Sequence, residues 1–196
     1  MRPQIIILYY SRNGGTQLLA DAIAQGVMQA GGDALLRTVD GASGEPASAR
    51  DLTLNADELT QCDGLIMGSP VRFGHMASSL QQFWETTSSV WLKGQLQGKP
   101  AAVFTSGSSL HSGQESTLLA MGVPLLHHGM LLCGIPYTEP AIQQTQSGGS
   151  PYGASHVSHG RHTQLSEHEY QAANALGKRV TYAAAALKPT QQQGQI

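Results

Sequence analysis

Ser11-Arg12-Asn13-Gly14-Gly15-Thr16 is a run of hydroxyl, amide and glycine residues that follows directly on the apolar stretch Ile5 to Tyr10. A loop of this kind, entered from a buried strand and leading into a helix, can turn several backbone N–H groups and two hydroxyls toward a phosphate. It lacks the Gly-x-Gly-x-x-Gly of a dinucleotide site and the Gly-Lys-Ser/Thr ending of a nucleoside triphosphate loop. With no lysine in it, much of the positive potential must come from the amino end of the helix. That chemistry suits a single monoester phosphate, and flavin mononucleotide (FMN) is the common cofactor that carries one.

Two further stretches share this character. Ser69 to His75 contains Arg72 and Phe73, and Ser106 to His111 is rich in serine with Gly107 among them. Backbone amides around Arg72, Phe73 and Gly74 can reach the pyrimidine edge and N5 of an isoalloxazine ring. Gly107 permits close approach of backbone to ligand. Each stretch follows a buried-type strand. In an open parallel sheet all strand-to-helix loops lie at one edge, where ligands bind at the switch in strand order. The three loops therefore predict one shared site.

The elements that must position these loops follow from apolar spacing. Ile5 to Tyr10 is a continuous β-branched run, as in a central parallel strand covered on both faces. Leu19, Ala20, Ile23, Ala24, Val27 and Met28 recur at helical spacing, and Gly31-Gly32 ends that helix. Leu35 to Val39 is a second strand. Residues 41–58, with Pro46, read as a surface excursion carrying a short helix from about Asp57. Leu65 to Met67 and Ala101 to Thr105 are the third and fourth strands. A helix begins near Met76 or Ala77 and carries Leu80, Phe83 and Trp84 as core residues, and another begins near Gln114. Leu131 to Ile135 is a fifth strand. Residues 138–165 have little periodicity and read as a long loop. Ser166 to Leu187 is a final helix with Ser166 and Glu169 in capping-box positions, and Lys188 to Ile196 a disordered tail. The prediction is α/β: a doubly wound, five-stranded parallel sheet with helices on both faces, forming a single domain over residues 1–187.

The chain has 196 residues, 40% hydrophobic and only 12% charged, with a net charge of −2. No basic field argues for nucleic acid or an anionic membrane. Cys62 and Cys133 form no Cys-x-x-Cys pair and read as single buried thiols in a reducing compartment. The opening apolar run is too short for a signal peptide or a membrane span, so the expected location is the cytoplasm. His156, His159 and His162 stand at three-residue spacing. No carboxylate or thiol lies near them in sequence, so they read as solvated loop histidines, and no metal is expected. No Gly-x-Ser-x-Gly elbow is present.

Longer strings carry a resemblance. Gly68-Ser69-Pro70-Val71-Arg72-Phe73-Gly74-His75-Met76, Leu126-His127-His128-Gly129-Met130 and Gly148-Gly149-Ser150-Pro151-Tyr152-Gly153-Ala154 are similar to the WrbA-type NAD(P)H:quinone oxidoreductases. Gly113-Gln114-Glu115 and Leu96-x-Gly98-Lys99-Pro100 fit as well. The matches run in order over nearly the whole chain. The resemblance implies a flavodoxin-like fold, one FMN per subunit and a homotetramer or dimer of dimers. It also implies two-electron reduction of quinones by NADH or NADPH, with hydride passing through flavin N5 in a ping-pong sequence. Carried over by motif position, the FMN contacts are Ser11, Arg12, Asn13, Gly14, Gly15 and Thr16, then Pro70, Val71, Arg72, Phe73 and Gly74. Ser106, Gly107, Ser108, Ser109, Leu110 and His111 complete them. His127 is placed at the flavin edge as the catalytic residue, able to steady negative charge or donate a proton. From spacing alone it could equally be a helix-end histidine satisfying a carbonyl. Trp91 matches the tryptophan that walls the quinone and nicotinamide pocket across a subunit boundary. The sequence departs from the family at Asn13, a substrate-side position often held by an aromatic residue, and after Ala154, where the usual acidic Gly-Asp-Gly-Ser-Arg character is missing.

Two other classes compete. An electron-carrier flavodoxin usually shows a strongly acidic docking surface, and a net charge of −2 is a poor match. A regulatory or scaffold role on DNA finds no basic helix or recognition motif.

Overall fold

The computed structural model describes residues 2–41, 50–159 and 164–192, with side chains as far as Lys188. The apolar run near the amino end forms β1 (Gln4–Tyr9), and α1 (Gly15–Gln29) follows it. Next come β2 (Asp33–Thr38), β3 (Leu52–Thr53), α2 (Ala56–Gln61) and β4 (Gly64–Pro70). The chain continues through α3 (Ser78–Glu85), α4 (Ser88–Leu92), β5 (Pro100–Gly107) and α5 (Gln114–His127). It ends with β6 (Leu131–Leu132), α6 (Pro140–Gln144), β7 (Ala154–Val157) and α7 (Glu167–Gln192).

All strand pairs are parallel. β1 lies between β2 and β4, with Ile6 paired to Leu35 and to Leu65. Successive side chains of β1 alternate between two cores. Ile5, Ile7 and Tyr9 pack with Leu19, Ile23, Leu176 and Val180 of α1 and α7. Ile6 and Leu8 pack on the other face with Leu80, Trp84, Leu118, Met121 and Leu125 of α3 and α5. Burial on both faces is why β1 reads as a continuous apolar run rather than an alternating one. α1 and α7 approach closely because both are glycine at the contact: a methyl group at Gly26 would lie 2.1 Å from the Asn174 carbonyl oxygen, and one at Gly177 would lie 2.3 Å from that of Ile23.

The five-stranded expectation is corrected. Among the described residues the sheet has seven strands, ordered β3-β2-β1-β4-β5-β6, with β7 also paired to β5. The fifth position is shared between two pieces. β6 pairs with Pro100 and Ala101, and β7 pairs with Phe104 to Gly107 further along the same strand. The predicted strand Leu131 to Ile135 thus shortens to Leu131–Leu132. The predicted long loop over 138–165 holds α6 and β7. β3 and β6 are two-residue strands, too short to show periodicity. All four residues of β7 are buried, so its sequence shows no alternation either. The final helix runs past Leu187 to Gln192. Pro46, His162 and residues 193–196 lie outside the described residues.

Candidate active site

The first loop takes its shape from Gly14, whose φ of 88° lies in the left-handed region. Gly14 precedes α1 without capping it through a side chain, and the first turn of α1 has no acidic residue. The leading N–H groups of that helix are left for an outside acceptor, with the positive end of the helix dipole behind them. Thr16 is buried, and its Oγ1 lies 2.8 Å from Ser106 Oγ, which ties this loop to the end of β5. Ser11 Oγ is buried without a hydrogen-bond partner. A buried hydroxyl left unpaired beside free helix N–H groups is the arrangement an anionic ligand would complete.

The second loop is a tight turn. Arg72 and His75 exchange backbone hydrogen bonds of 2.9 and 3.0 Å. The two residues between them, Phe73 (φ 51°) and Gly74 (φ 80°), both have positive φ, as a type I′ turn requires. The Phe73 side chain is fully exposed. Val71 N–H donates to the Ser106 carbonyl at 2.8 Å, which joins this loop to the third. In the third loop the Gln114 side chain donates to the Ser109 carbonyl (2.7 Å) and accepts from Ser112 N–H (3.0 Å). A methyl group at Gly107 would lie 2.5 Å from Ser112 Oγ and 2.8 Å from the Gln114 side-chain nitrogen, so those side chains would have to move to admit it.

These loops enclose a cavity of about 850 Å³ at the carboxyl edge of the sheet. From the first loop it is lined by Ser11, Arg12, Asn13, Gly15 and Thr16. The second contributes Pro70, Val71 and Arg72, and the third Ser106, Gly107, Ser108 and Ser112. Ser158, just beyond β7, completes the lining and donates its N–H to the Gly107 carbonyl at 2.9 Å. Ser158 and Ser112 escaped the sequence reading. Ser158 sits in a Gly/Ser/His stretch without periodicity, and only the pairing of β7 with β5 carries it to the site.

Other anticipated residues lie elsewhere. Gly14, Phe73, Gly74 and Ser109 belong to the three loops but do not line the cavity. Leu110 and His111 line a neighbouring cavity of about 500 Å³ with Gln114 and the 147–150 loop. Trp91 and His127 line a third, open groove of about 480 Å³ between α4 and α5. That groove shares no residue with the large cavity, so a single chain does not bring His127 into the lining of that cavity. Behind His127, the buried His128 is held by Thr87 Oγ1 at 3.0 Å and by the Trp84 ring at a centroid distance of 5.1 Å. Burial and the neighbouring His127 push its pKa down.

The reading of His156 as a solvated loop residue is overturned. It lies in β7 at 1% exposure, and its Nδ1 is 2.9 Å from Glu169 Oε2. Glu169 also accepts from the N–H groups of Gly148, Val157 and Ser166 at 2.8–2.9 Å. Ser166 Oγ accepts from Glu169 N–H at 3.2 Å, completing the capping box. Burial raises the Glu169 pKa, but the hydrogen bonds from His156, Ser166 and Val157 outweigh it and hold the carboxyl at about 2. Among the described residues no three His, Cys, Asp or Glu side chains could hold a metal ion. No helix among them is long and apolar enough to cross a membrane.

The sequence model of the family described as NADPH-dependent FMN reductase matches residues 3–136. A protein of Rhizobium rhizogenes named NAD(P)H dehydrogenase (quinone) is 39% identical, with 94% of this chain and 98% of that one covered. The protein of the same name from Chromohalobacter salexigens is 38% identical, again covering 94% and 98%. Among solved structures, a WrbA-like flavodoxin from Agrobacterium tumefaciens superposes with a TM-score of 0.71 at 22% identity, covering 94% of this chain and 98% of its own. That likeness establishes the flavodoxin-like fold.

Proposed function

The chain belongs to the NADPH-dependent FMN reductase family, alongside the NAD(P)H dehydrogenases (quinone), and on that premise we propose that it reduces quinones to hydroquinones with NADH or NADPH through bound FMN. The observation that carries the reading is the 850 Å³ cavity built on the uncapped amino end of α1, with Ser11, whose buried hydroxyl is unpaired, in its lining. Its donors are backbone N–H groups, hydroxyls and the guanidinium groups of Arg12 and Arg72, and no lysine is among them. That donor set fits one phosphomonoester at one end and a planar heterocycle held by backbone at the other.

Ser11, Gly15 and Thr16 bind the phosphate, with Gly14 shaping the turn that presents them. Pro70 to Gly74 and Ser106 to Ser109 hold the ring through backbone groups. FMN, when held by these loops, would supply two-electron hydride chemistry at N5, with nicotinamide and quinone using the site in turn in a ping-pong sequence. Across the cycle NAD(P)H, one proton and a quinone become NAD(P)+ and a hydroquinone. Asn13 and Arg12 are exposed and line the cavity; they mark the mouth where nicotinamide and quinone bind in turn.

Trp91 and His127 reach that mouth from a neighbouring copy of the chain. Leu119, Val123 and Leu126 form an exposed apolar stripe on α5, and Trp91 and Leu92 stand exposed on α4. The i, i+4, i+7 spacing keeps the three α5 residues on one helix face. This surface supports a homotetramer, or dimer of dimers, in which each Trp91 walls a neighbour's site and His127 steadies charge on the reduced ring or quinone oxygen. The setting proposed for the enzyme is the cytoplasm.

The test is a visible spectrum of the purified protein with FMN, followed anaerobically by NADH and then benzoquinone. Bleaching by NADH and recovery with quinone are the expected results. Absence of flavin binding, or binding with no bleaching by either nicotinamide, overturns the reading.

A further inference from the structure

The buried His156–Glu169 pair is not used by any step above, yet it lies directly behind the proposed phosphate cradle. Once ionised, Glu169 can only accept hydrogen bonds, so the hydrogen on His156 sits on Nδ1, 2.9 Å from Glu169 Oε2. That leaves Nε2 as the spare nitrogen, and it is buried without a partner. Buried polar atoms are paired as a rule, and an orphan calls for a reason.

Its place in the fold supplies one. In the register of β5 and β7, His156 stands opposite Ser106, whose hydroxyl meets that of Thr16. A methyl group at Gly15 would lie 3.3 Å from His156 Cδ2 and 3.4 Å from Ser106 Cβ. Cδ2 is bonded to Nε2, so the ring edge bearing the unpaired nitrogen faces Gly15, the first residue of α1. Gly15 carries one of the N–H groups that the helix cannot pair internally. The ring is fixed from behind, because Glu169 is itself held by three backbone N–H groups.

We propose that His156 is a positioning residue of the phosphate subsite, acting through Gly15 and specific for a dianionic phosphomonoester. The Glu169 carboxylate sets the orientation of the ring. The ring sets how deep Gly15 can sit, and so the direction in which the leading N–H groups of α1 point. The isoalloxazine ring would be held by backbone groups of the second and third loops, whereas the His156 side chain acts at Gly15. His156 should therefore matter for the phosphate and not for the ring. The inference rests on the reading of this cavity as an FMN site.

Riboflavin shares the ring of FMN and lacks its phosphate, which makes the pair a direct test. Both flavins are titrated by fluorescence into the full-length wild-type chain and into the His156→Ala and His156→Gln variants. Misdirecting one leading N–H group of α1 costs one hydrogen bond to the phosphate and predicts about a tenfold fall in FMN affinity for the alanine variant, with riboflavin affinity unchanged. Glutamine, which can still donate to Glu169, should recover part of the loss. A parallel fall for both flavins, or undiminished FMN affinity, overturns the proposal. If the alanine variant does not fold, the glutamine variant carries the same comparison, with a smaller loss confined to FMN. A wild-type chain that binds FMN no better than riboflavin would instead overturn the phosphate-loop reading itself.

Discussion

The hydroxyls of Thr16 and Ser106 lie 2.8 Å apart, buried, and join the first turn of α1 to the end of β5. This contact holds two loops, ninety residues apart in sequence, in the orientation the cavity needs. Thr16→Ala removes the link and one hydroxyl of the cradle. FMN affinity should fall by about 1–2 kcal/mol, roughly tenfold, in a fluorescence titration. Unchanged retention would count against the phosphate-loop assignment.

Trp91 lies outside the cavity in its own chain, so its removal should spare cofactor binding. For Trp91→Ala we expect quinone turnover to drop by about tenfold or more, the cost of losing one aromatic wall. FMN affinity should stay within about twofold. Equal loss of both, by stopped-flow reduction and flavin titration, would make Trp91 a structural residue.

The apolar stripe on α5 gives a test of assembly. Val123 and Leu126 are more than half exposed, so Leu126→Asp should fold normally as a single chain. Light scattering should show smaller assemblies, and quinone turnover should fall with them while FMN remains bound. An unchanged mass would show that this face does not join subunits.

Glu169 predicts an acid limb of stability. Its folded pKa, about 2, lies below the ordinary glutamate value of about 4.3. The stabilisation is therefore complete above the unfolded value and is lost as pH falls through the folded one. Its size is about 3 kcal/mol, and it should disappear between about pH 5 and pH 2 in urea unfolding followed by circular dichroism. Glu169→Gln should be less stable at neutral pH and flatter across that window. A wild-type curve with no slope there would refute the assignment.

Gly26 sets the spacing of α1 and α7. Gly26→Ala would drive a methyl group into the Asn174 carbonyl, and overpacking of this kind costs about 1–3 kcal/mol. A melting temperature equal to wild type would show that the two helices can separate without cost.

Much of the site was legible as local pattern. The first loop sits between an unbroken apolar strand and a periodic helix, so both its ends are marked in the sequence. The same holds for the loops after β4 and β5. As they were read, these three supply every lining residue of the cavity except Ser112 and Ser158. β7 was missed because its four residues are all buried and its flanks are glycine, serine and histidine. With it went Ser158 and the burial of His156, which nothing within a few residues of either could signal.

What the sequence determined by itself is whatever depends on near neighbours. Strand runs, helix faces, the left-handed glycine before α1 and the capping box of Ser166 and Glu169 are all set by residues within one or two turns of each other. The tertiary structure alone decided which distant residues meet. It split the fifth position of the sheet between β6 and β7 and placed His156 behind Gly15. It also set Trp91 and His127 in one groove apart from the cavity. Those outcomes come from strand pairing and helix packing over long chain separations, where the energy lies in buried area and shared hydrogen bonds. Such terms leave no periodic mark on the residues that contribute them.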